Sequence, residues 1–130
     1  MWSRAYDLSD RVGRVLTRYG REFARASLKR NYLPYALRYL DGLGKDNIKF
    51  AVRKNITIWE LLPDGWRRRA IEDNSIFSRL AANLEPNEVA DMVYDVLVEV
   101  RPDYAKIITK EWLARSFEAY KRAKAEVRTL

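Results

Sequence analysis

A row of basic residues with helical spacing runs through the N-terminal part of the chain, between Asp10 and Asn31. Its members recur in steps of three or four residues: Arg11, Arg14, Arg18, Arg21, Arg25 and Lys29. Side chains with this spacing lie on one face of an α-helix, so the row predicts a helix with a cationic edge. A second edge is apolar: Val12, Val15, Leu16, Tyr19, Phe23 and Ala26.

This predicted helix has unfavourable features of its own. Like charges three or four residues apart repel each other. Gly13 and Gly20 each weaken a helix by about 1 kcal/mol relative to alanine. Only Glu22 interrupts the basic row. We therefore interpret the row as a phosphate-binding face that a polyanion would complete; the alternative is the solvated face of an ordinary amphipathic helix.

The excess positive charge belongs to the N-terminal part alone. The chain of 130 residues has a formal net charge of +7. Residues 1–54 contain 13 Lys and Arg against 5 Asp and Glu, whereas residues 55–130 contain 12 against 13. A basic segment on a nearly neutral body is typical of proteins that bind nucleic acid or an acidic membrane surface.

Several functional classes find no support in the residues. The chain has no histidine and no cysteine, which removes the commonest general base, the commonest metal ligand and any disulfide. No Gly-rich phosphate loop and no membrane-spanning apolar stretch are present. We predict no enzymatic activity, no cofactor and no metal site. Lack of Cys and Gln beside abundant Arg, Glu and Lys favours a thermophilic source.

Helical periodicity and helix-breaking residues divide the rest of the chain. Pro34 predicts that the basic helix kinks or stops near residues 31–33, and Gly42 and Gly44 are expected to end the next helix. Further helices are predicted over 45–55, 57–63 with a Thr57/Glu60 capping box, 66–73, 76–84, 85–100 and 103–127. We predict an all-α fold with a basic N-terminal helical arm, residues 1–33, followed by a compact C-terminal helical bundle, residues 34–130.

The helix predicted over 85–100 has two opposite edges. Its apolar positions are Val89, Met92, Val93, Val96, Leu97 and Val100, and its acidic edge is Glu88, Asp91, Asp95 and Glu99. An acidic row of this kind is usually a solvated helix face, and we do not interpret it as a metal site. A third interpretation is that it meets the basic arm of a neighbouring copy.

Additional basic residues extend the candidate binding surface. Arg67, Arg68 and Arg69 are consecutive, so at most two of them serve one surface. Tyr32, Tyr35 and Tyr39 lie among arginines and either stack on bases or pack into the bundle. The predicted nucleic-acid-binding residues are Arg4, Arg11, Arg14, Arg18, Arg21, Arg25, Lys29, Arg30, Arg38, Lys45, Lys49, Arg53, Lys54, Arg67 and Arg68. The basic row lacks the Asn and Gln side chains that read adenine edges, which favours backbone binding without sequence preference.

The order of parts resembles a known family. An arm with the sequence DRVGRVLTRYGREFARASLKRN, a proline bend and a helical bundle are similar to the coat proteins of filamentous double-stranded DNA viruses of hyperthermophilic archaea. The resemblance implies a structural protein of the virion that wraps DNA with its basic arm. It also implies that paired subunits, identical or related, assemble into a helical filament around A-form DNA.

Two other functions are compatible with the same features. One is a small, non-catalytic, all-helical RNA- or DNA-binding subunit of an RNA-guided, CRISPR-type complex, which would place the protein in the cytoplasm. The other is a basic amphipathic helix on an anionic membrane. The membrane interpretation ranks last because the apolar edge of the arm is modest and has Gly13 and Gly20 nearby.

Overall fold

The computed structural model describes residues 22, 25, 26, 28–73 and 83–129. Within these ranges every regular element is helical, which confirms the predicted all-α class for the described part of the chain. A π-helical turn, Leu28–Tyr32, is followed by α1 (Leu33–Leu43), α2 (Lys45–Arg53), α3 (Ile58–Leu61), α4 (Asp64–Glu72), α5 (Pro86–Val100), α6 (Pro102–Ala105) and α7 (Lys110–Thr129). The predicted helix over 76–84 lies almost entirely outside the described residues.

The core is centred on α5 and α7, which pack along each other. The apolar stripe predicted for α5 is buried at Val89, Met92, Val93, Val96 and Leu97, whereas Val100 at the end of the helix is exposed. Helix α7 contributes a buried face with the same helical period: Trp112, Leu113, Ser116, Phe117 and Tyr120. Removing these large side chains from water supplies the main driving force for the fold.

The core also includes residues from the N-terminal part of the chain. Leu28, Leu33 and Leu40 are buried against it, and so is Ile48 of α2. Leu28 lies before the boundary predicted between arm and bundle, so the packed core begins inside the segment assigned to the arm. The arm itself lies mostly outside the described residues and stays a prediction.

The chain passes Pro34 without leaving the helical conformation. A π-helical turn ends at Tyr32, and α1 starts at the next residue, Leu33. The prediction was a kink or a stop near residues 31–33; the stop is wrong, and the kink stays a prediction. Proline has no N–H for the carbonyl four residues earlier. The wider hydrogen bonding of a π-helical turn pairs each carbonyl with the fifth residue along, and this allows the helix to continue.

The helix predicted over 103–127 is wrong as a single element, because α6 and α7 are separate helices. The chain leaves the helical conformation after Ala105, and α7 starts anew at Lys110. The Thr109 hydroxyl oxygen accepts a hydrogen bond from the Trp112 backbone N–H at 3.1 Å, as an N-terminal capping residue does. Consecutive β-branched residues from Ile107 to Thr109 also lower helix propensity here.

Short helix α3 and the two residues before it are tied to α7 by hydrogen bonds. The predicted capping box is confirmed: the Thr57 hydroxyl accepts from the Glu60 N–H, and the Glu60 carboxylate accepts from the Thr57 N–H. Ser116 of α7 accepts from the Ile58 N–H at 3.1 Å. The Trp112 indole N–H donates to the Ile56 carbonyl at 2.7 Å. These bonds fix the segment that follows α2 onto α7.

Candidate nucleic-acid interface

Helix α2 is cationic on one side and buried in the core on the other side, and the buried side fixes the position of the cations. Ile48 and Ala51 of α2 are fully buried in the core. Lys45, Lys49 and Arg53 are exposed and recur every four residues, so they share one side of the helix. Exposed Lys54 follows at the end of α2. Four of the predicted binding residues are therefore brought together on one short helix.

Both ends of α2 are set by residues with left-handed backbone conformation. Gly44, with φ +85°, separates α1 from α2, as the sequence predicted for this glycine; Gly42 instead lies inside α1. Asn55, with φ 57°, follows Lys54. The Ile56 N–H donates to the Ala51 carbonyl at 2.8 Å and the Asn55 N–H to the Val52 carbonyl at 3.2 Å. This is a Schellman motif, which satisfies the terminal carbonyls.

Three cations of this face have no acidic partner within the described residues. Lys49, Arg53 and Lys54 form no ion pair there, whereas the Lys45 ammonium lies 3.3 Å from an Asp103 carboxylate oxygen. Asp46 is the single acid of α2 and is also exposed. We define Lys49, Arg53 and Lys54 as the α2 cationic patch.

The last two members of the predicted basic row contact α5. The Arg25 guanidinium and the Lys29 ammonium lie 2.9 Å and 3.0 Å from the two carboxylate oxygens of Glu99. The hydrogen bond from Lys29, together with the charge of both cations, lowers the pKa of Glu99. Two cations share one carboxylate, so one positive charge remains in excess. The acidic edge of α5 thus meets the basic row of its own chain at Glu99.

Other predicted binding residues are distributed over the surface. Arg30 and Arg38 are exposed and form no ion pair within the described part of the chain. Arg68 is exposed as well. Arg67 instead contacts the protein: its guanidinium donates to the Glu60 carbonyl at 2.6 Å and lies 3.7 Å from an Asp64 carboxylate oxygen. Arg4, Arg11, Arg14, Arg18 and Arg21 lie outside the described residues.

A network around Arg101 holds α1 and α2 against the junction of α5 and α6. The Arg101 guanidinium donates to both Asp41 carboxylate oxygens, at 2.9 and 3.4 Å, and lies 3.4 Å from Asp103. It also stacks 4.3 Å from the centre of the Tyr104 ring, and the Tyr104 hydroxyl donates to Asp41. Sequence reasoning missed this network because its members are about 60 residues apart.

The network perturbs the ionisation of its members. Hydrogen bonds from Arg101 and Tyr104 lower the pKa of Asp41. Desolvation opposes the charge of Asp103, yet hydrogen bonds from Arg101 and Lys45 outweigh it and lower its pKa as well. Hydrogen bonding to Asp41 raises the pKa of Arg101 despite partial desolvation. The charged forms of all three groups are therefore favoured in the folded protein.

Aromatic residues near the cations have two different fates. The Tyr39 hydroxyl donates to the Leu61 carbonyl and ties α1 to α3, in agreement with the packing interpretation of this tyrosine. Nothing of the Tyr32 or Tyr35 side chain is described. Phe50 of α2 is 54% exposed, and sequence reasoning did not assign it a role. Its place one residue after Lys49 and three before Arg53 was the signal that could have drawn attention to it.

The described residues hold no group of three or more Asp, Glu, His or Cys placed to bind a metal ion. On α5, Glu88, Asp91, Asp95 and Glu99 are exposed, and Asp91 lies 3.1 Å from the Lys110 ammonium. Among the helices of the described ranges, none has both the length and the apolar character that crossing a bilayer requires.

Comparisons of this chain with protein-family models, with curated proteins and with solved structures find no match. The surface chemistry of the α2 helix and of the residues around it is therefore the basis for a functional proposal.

Proposed function

We propose that this protein is a structural, sequence-independent nucleic-acid-binding protein, and that it coats double-stranded DNA by self-assembly into a filament. The observation that carries the proposal is the α2 cationic patch. Lys49, Arg53 and Lys54 are exposed on α2 and at the residue that follows it, and none of them has a carboxylate partner among the described residues. When such unpaired cations bind phosphates, the counterions condensed on the DNA are released. This release is the main source of non-specific affinity for DNA.

The chemistry of α2 supports binding without sequence preference. Asn47 is the only amide side chain on this helix, and amides are the groups that pair with adenine edges. Its amide nitrogen donates to the Leu43 carbonyl at 2.6 Å and is engaged within the protein. Lys and Arg contacts to phosphates fix position on the nucleic acid but carry no sequence information. The same affinity is therefore expected for duplexes of different sequence.

Arg25 and Lys29 are part of the proposal even though both contact Glu99. Their side chains are about 40% exposed, and that of Glu99 is 50% exposed. Exposed ion pairs contribute little to stability and weaken in salt. A phosphate can therefore replace Glu99 as their partner at small cost. This exchange would add two cations from the end of the predicted arm to the phosphate contacts of the protein.

The coat and filament part of the proposal is supported by the order of parts along the chain. A basic N-terminal segment precedes a helical core, as in the coat proteins that the sequence resembles. Double-stranded DNA is the favoured ligand for that reason, and a second copy or a related subunit is the expected assembly partner.

Two measurements on the wild-type chain test the proposal. Binding to duplexes of unrelated sequence should be equal, with a log–log salt slope at least as steep as about −2.7, from ~0.9 for each of three phosphate contacts. Electron microscopy of negatively stained samples should show filaments with duplex DNA and none without it. A slope near zero contradicts nucleic-acid binding, whereas salt-dependent binding without filaments contradicts only the coat function.

A further inference from the structure

Phe50 is the most exposed of the large apolar side chains in the described part of the chain. Ile48 and Ala51 already supply the core side of α2, whereas Phe50 is exposed. Lys49 precedes it, Arg53 follows three residues later and Lys54 four residues later. Positions three and four apart are neighbours on a helix surface, so Phe50 lies next to Arg53 and Lys54 of the α2 cationic patch.

An exposed apolar residue is unremarkable by itself, since folded proteins expose much apolar surface. The neighbours of Phe50 make its position informative. Three cations without acidic partners lie one, three and four residues from Phe50, and exposed Asp46 lies four residues before it. The cations disfavour an apolar protein surface as the partner of the ring because docking would desolvate them. A nucleobase offers an apolar face for the ring, and the phosphates on either side of it offer charge for the cations.

We propose that Phe50 stacks on an unpaired nucleobase while Lys49, Arg53 and Lys54 bind the phosphates that flank it. Because the ring needs a base face that is not covered by a neighbouring base, the ligand class of this face is a single-stranded nucleic acid.

This inference rests on the proposed function and adds a property to it. Phosphate contacts alone give no preference for single strands over duplexes of equal charge density. Stacking on an aromatic side chain requires a base that has left the duplex stack, and it tolerates any base because each has a π-face. Stacking by Phe50 is thus expected to add affinity for single strands of any sequence, beyond the phosphate contacts that the α2 cationic patch makes with duplexes and single strands alike.

The test compares Phe50→Ala, Phe50→Leu and Phe50→Tyr with the wild-type chain on a short oligothymidylate strand and on a duplex of the same length. Phe50→Ala and Phe50→Leu should weaken single-strand binding roughly 5- to 150-fold, the equivalent of ~1–3 kcal/mol for one stacked base. Phe50→Tyr should retain single-strand affinity. Duplex affinity and both salt slopes should stay unchanged, because no charge is altered.

Val98→Ala is the matched control, since Val98 is 47% exposed on α5 and is apolar as well. It should leave binding to both ligands unchanged. Phe50→Leu keeps an apolar, helix-compatible side chain, so a loss of binding there is not explained by unfolding.

Every other outcome overturns the stacking role of Phe50. Wild-type affinity in Phe50→Leu, together with salt-dependent binding, overturns the stacking role but leaves the proposed function intact. Equal loss on single strand and duplex overturns it too, as does a loss of self-association with unchanged affinity for DNA. If the wild-type chain binds neither ligand, the inference and the proposed function both fail.

Discussion

Removing the charges of the α2 cationic patch should reduce the salt dependence of duplex binding by a calculable amount. The variant is Lys49→Gln, Arg53→Gln and Lys54→Gln combined. Each residue is exposed and has no ion-pair partner among the described residues, so each is free to contact one phosphate. At ~0.9 per contact, the log–log slope should become less steep by about 2.7.

The change in slope translates into a large difference in affinity. Between roughly 50 and 200 mM salt, the wild-type chain should lose about 40-fold more affinity than the triple variant, from a fourfold salt change raised to the power ~2.7. Fluorescence anisotropy with labelled duplexes of two unrelated sequences, titrated at several salt concentrations, measures the slope directly. The reduction should be the same for both sequences.

The control removes the same charge from a different helix. Lys110→Gln, Arg115→Gln and Arg122→Gln combined change three exposed residues of α7. Lys110 and Arg122 take part in exposed ion pairs, which contribute little to stability. If the control reduces the slope as much as the α2 variant does, net charge and not the α2 face governs binding. An unchanged slope in the α2 variant refutes the phosphate role of this helix.

Three further predictions concern individual contacts. Glu99→Gln should tighten duplex binding by up to about fivefold, because Arg25 and Lys29 then bind phosphate without first breaking their ion pairs with Glu99. Weaker duplex binding by this variant contradicts the prediction. Asn55→Val should lower the free energy of unfolding by about 1–2 kcal/mol and Asn55→Gly should not, because only the β-branched residue is strained at positive φ; urea titration measures both. The pKa values of Asp41 and Asp103 are lower in the folded protein than in the unfolded chain. Their contribution to the free energy of unfolding is therefore present above pH ~4 and is lost as the pH falls through their folded-state pKa values. Arg101→Met should reduce this acid dependence in urea titrations at pH ~5 to 2, and an unchanged dependence would contradict the assignment.

Local patterns were sufficient for several parts of the fold. The helical period of Val89, Met92, Val93, Val96 and Leu97 predicted which side of α5 is buried, because an amphipathic helix buries one stripe whatever it packs against. The capping box of α3 was predictable for a related reason: all of its hydrogen bonds lie within four consecutive residues.

Features that depend on distant residues were not predictable in this way. The pairing of Glu99 with Arg25 joins positions 74 residues apart, and no periodicity within the basic row or within α5 indicates it. The break before α7 was missed because charged and apolar residues continue with helical spacing across it, while the cap provided by Thr109 is a single side chain. Phe50 was left unassigned because sequence alone does not show which apolar residues of a short amphipathic helix remain in solvent.

The two left-handed residues at the ends of α2 have a consequence for how the protein responds to a ligand. An α-helix does not continue through the backbone conformation of Gly44 or Asn55. Helix α2 therefore does not lengthen beyond its nine residues as long as Gly44 and Asn55 keep this conformation. With both ends of α2 unchanged, a gain in ellipticity at 222 nm upon adding DNA would originate in another segment of the chain.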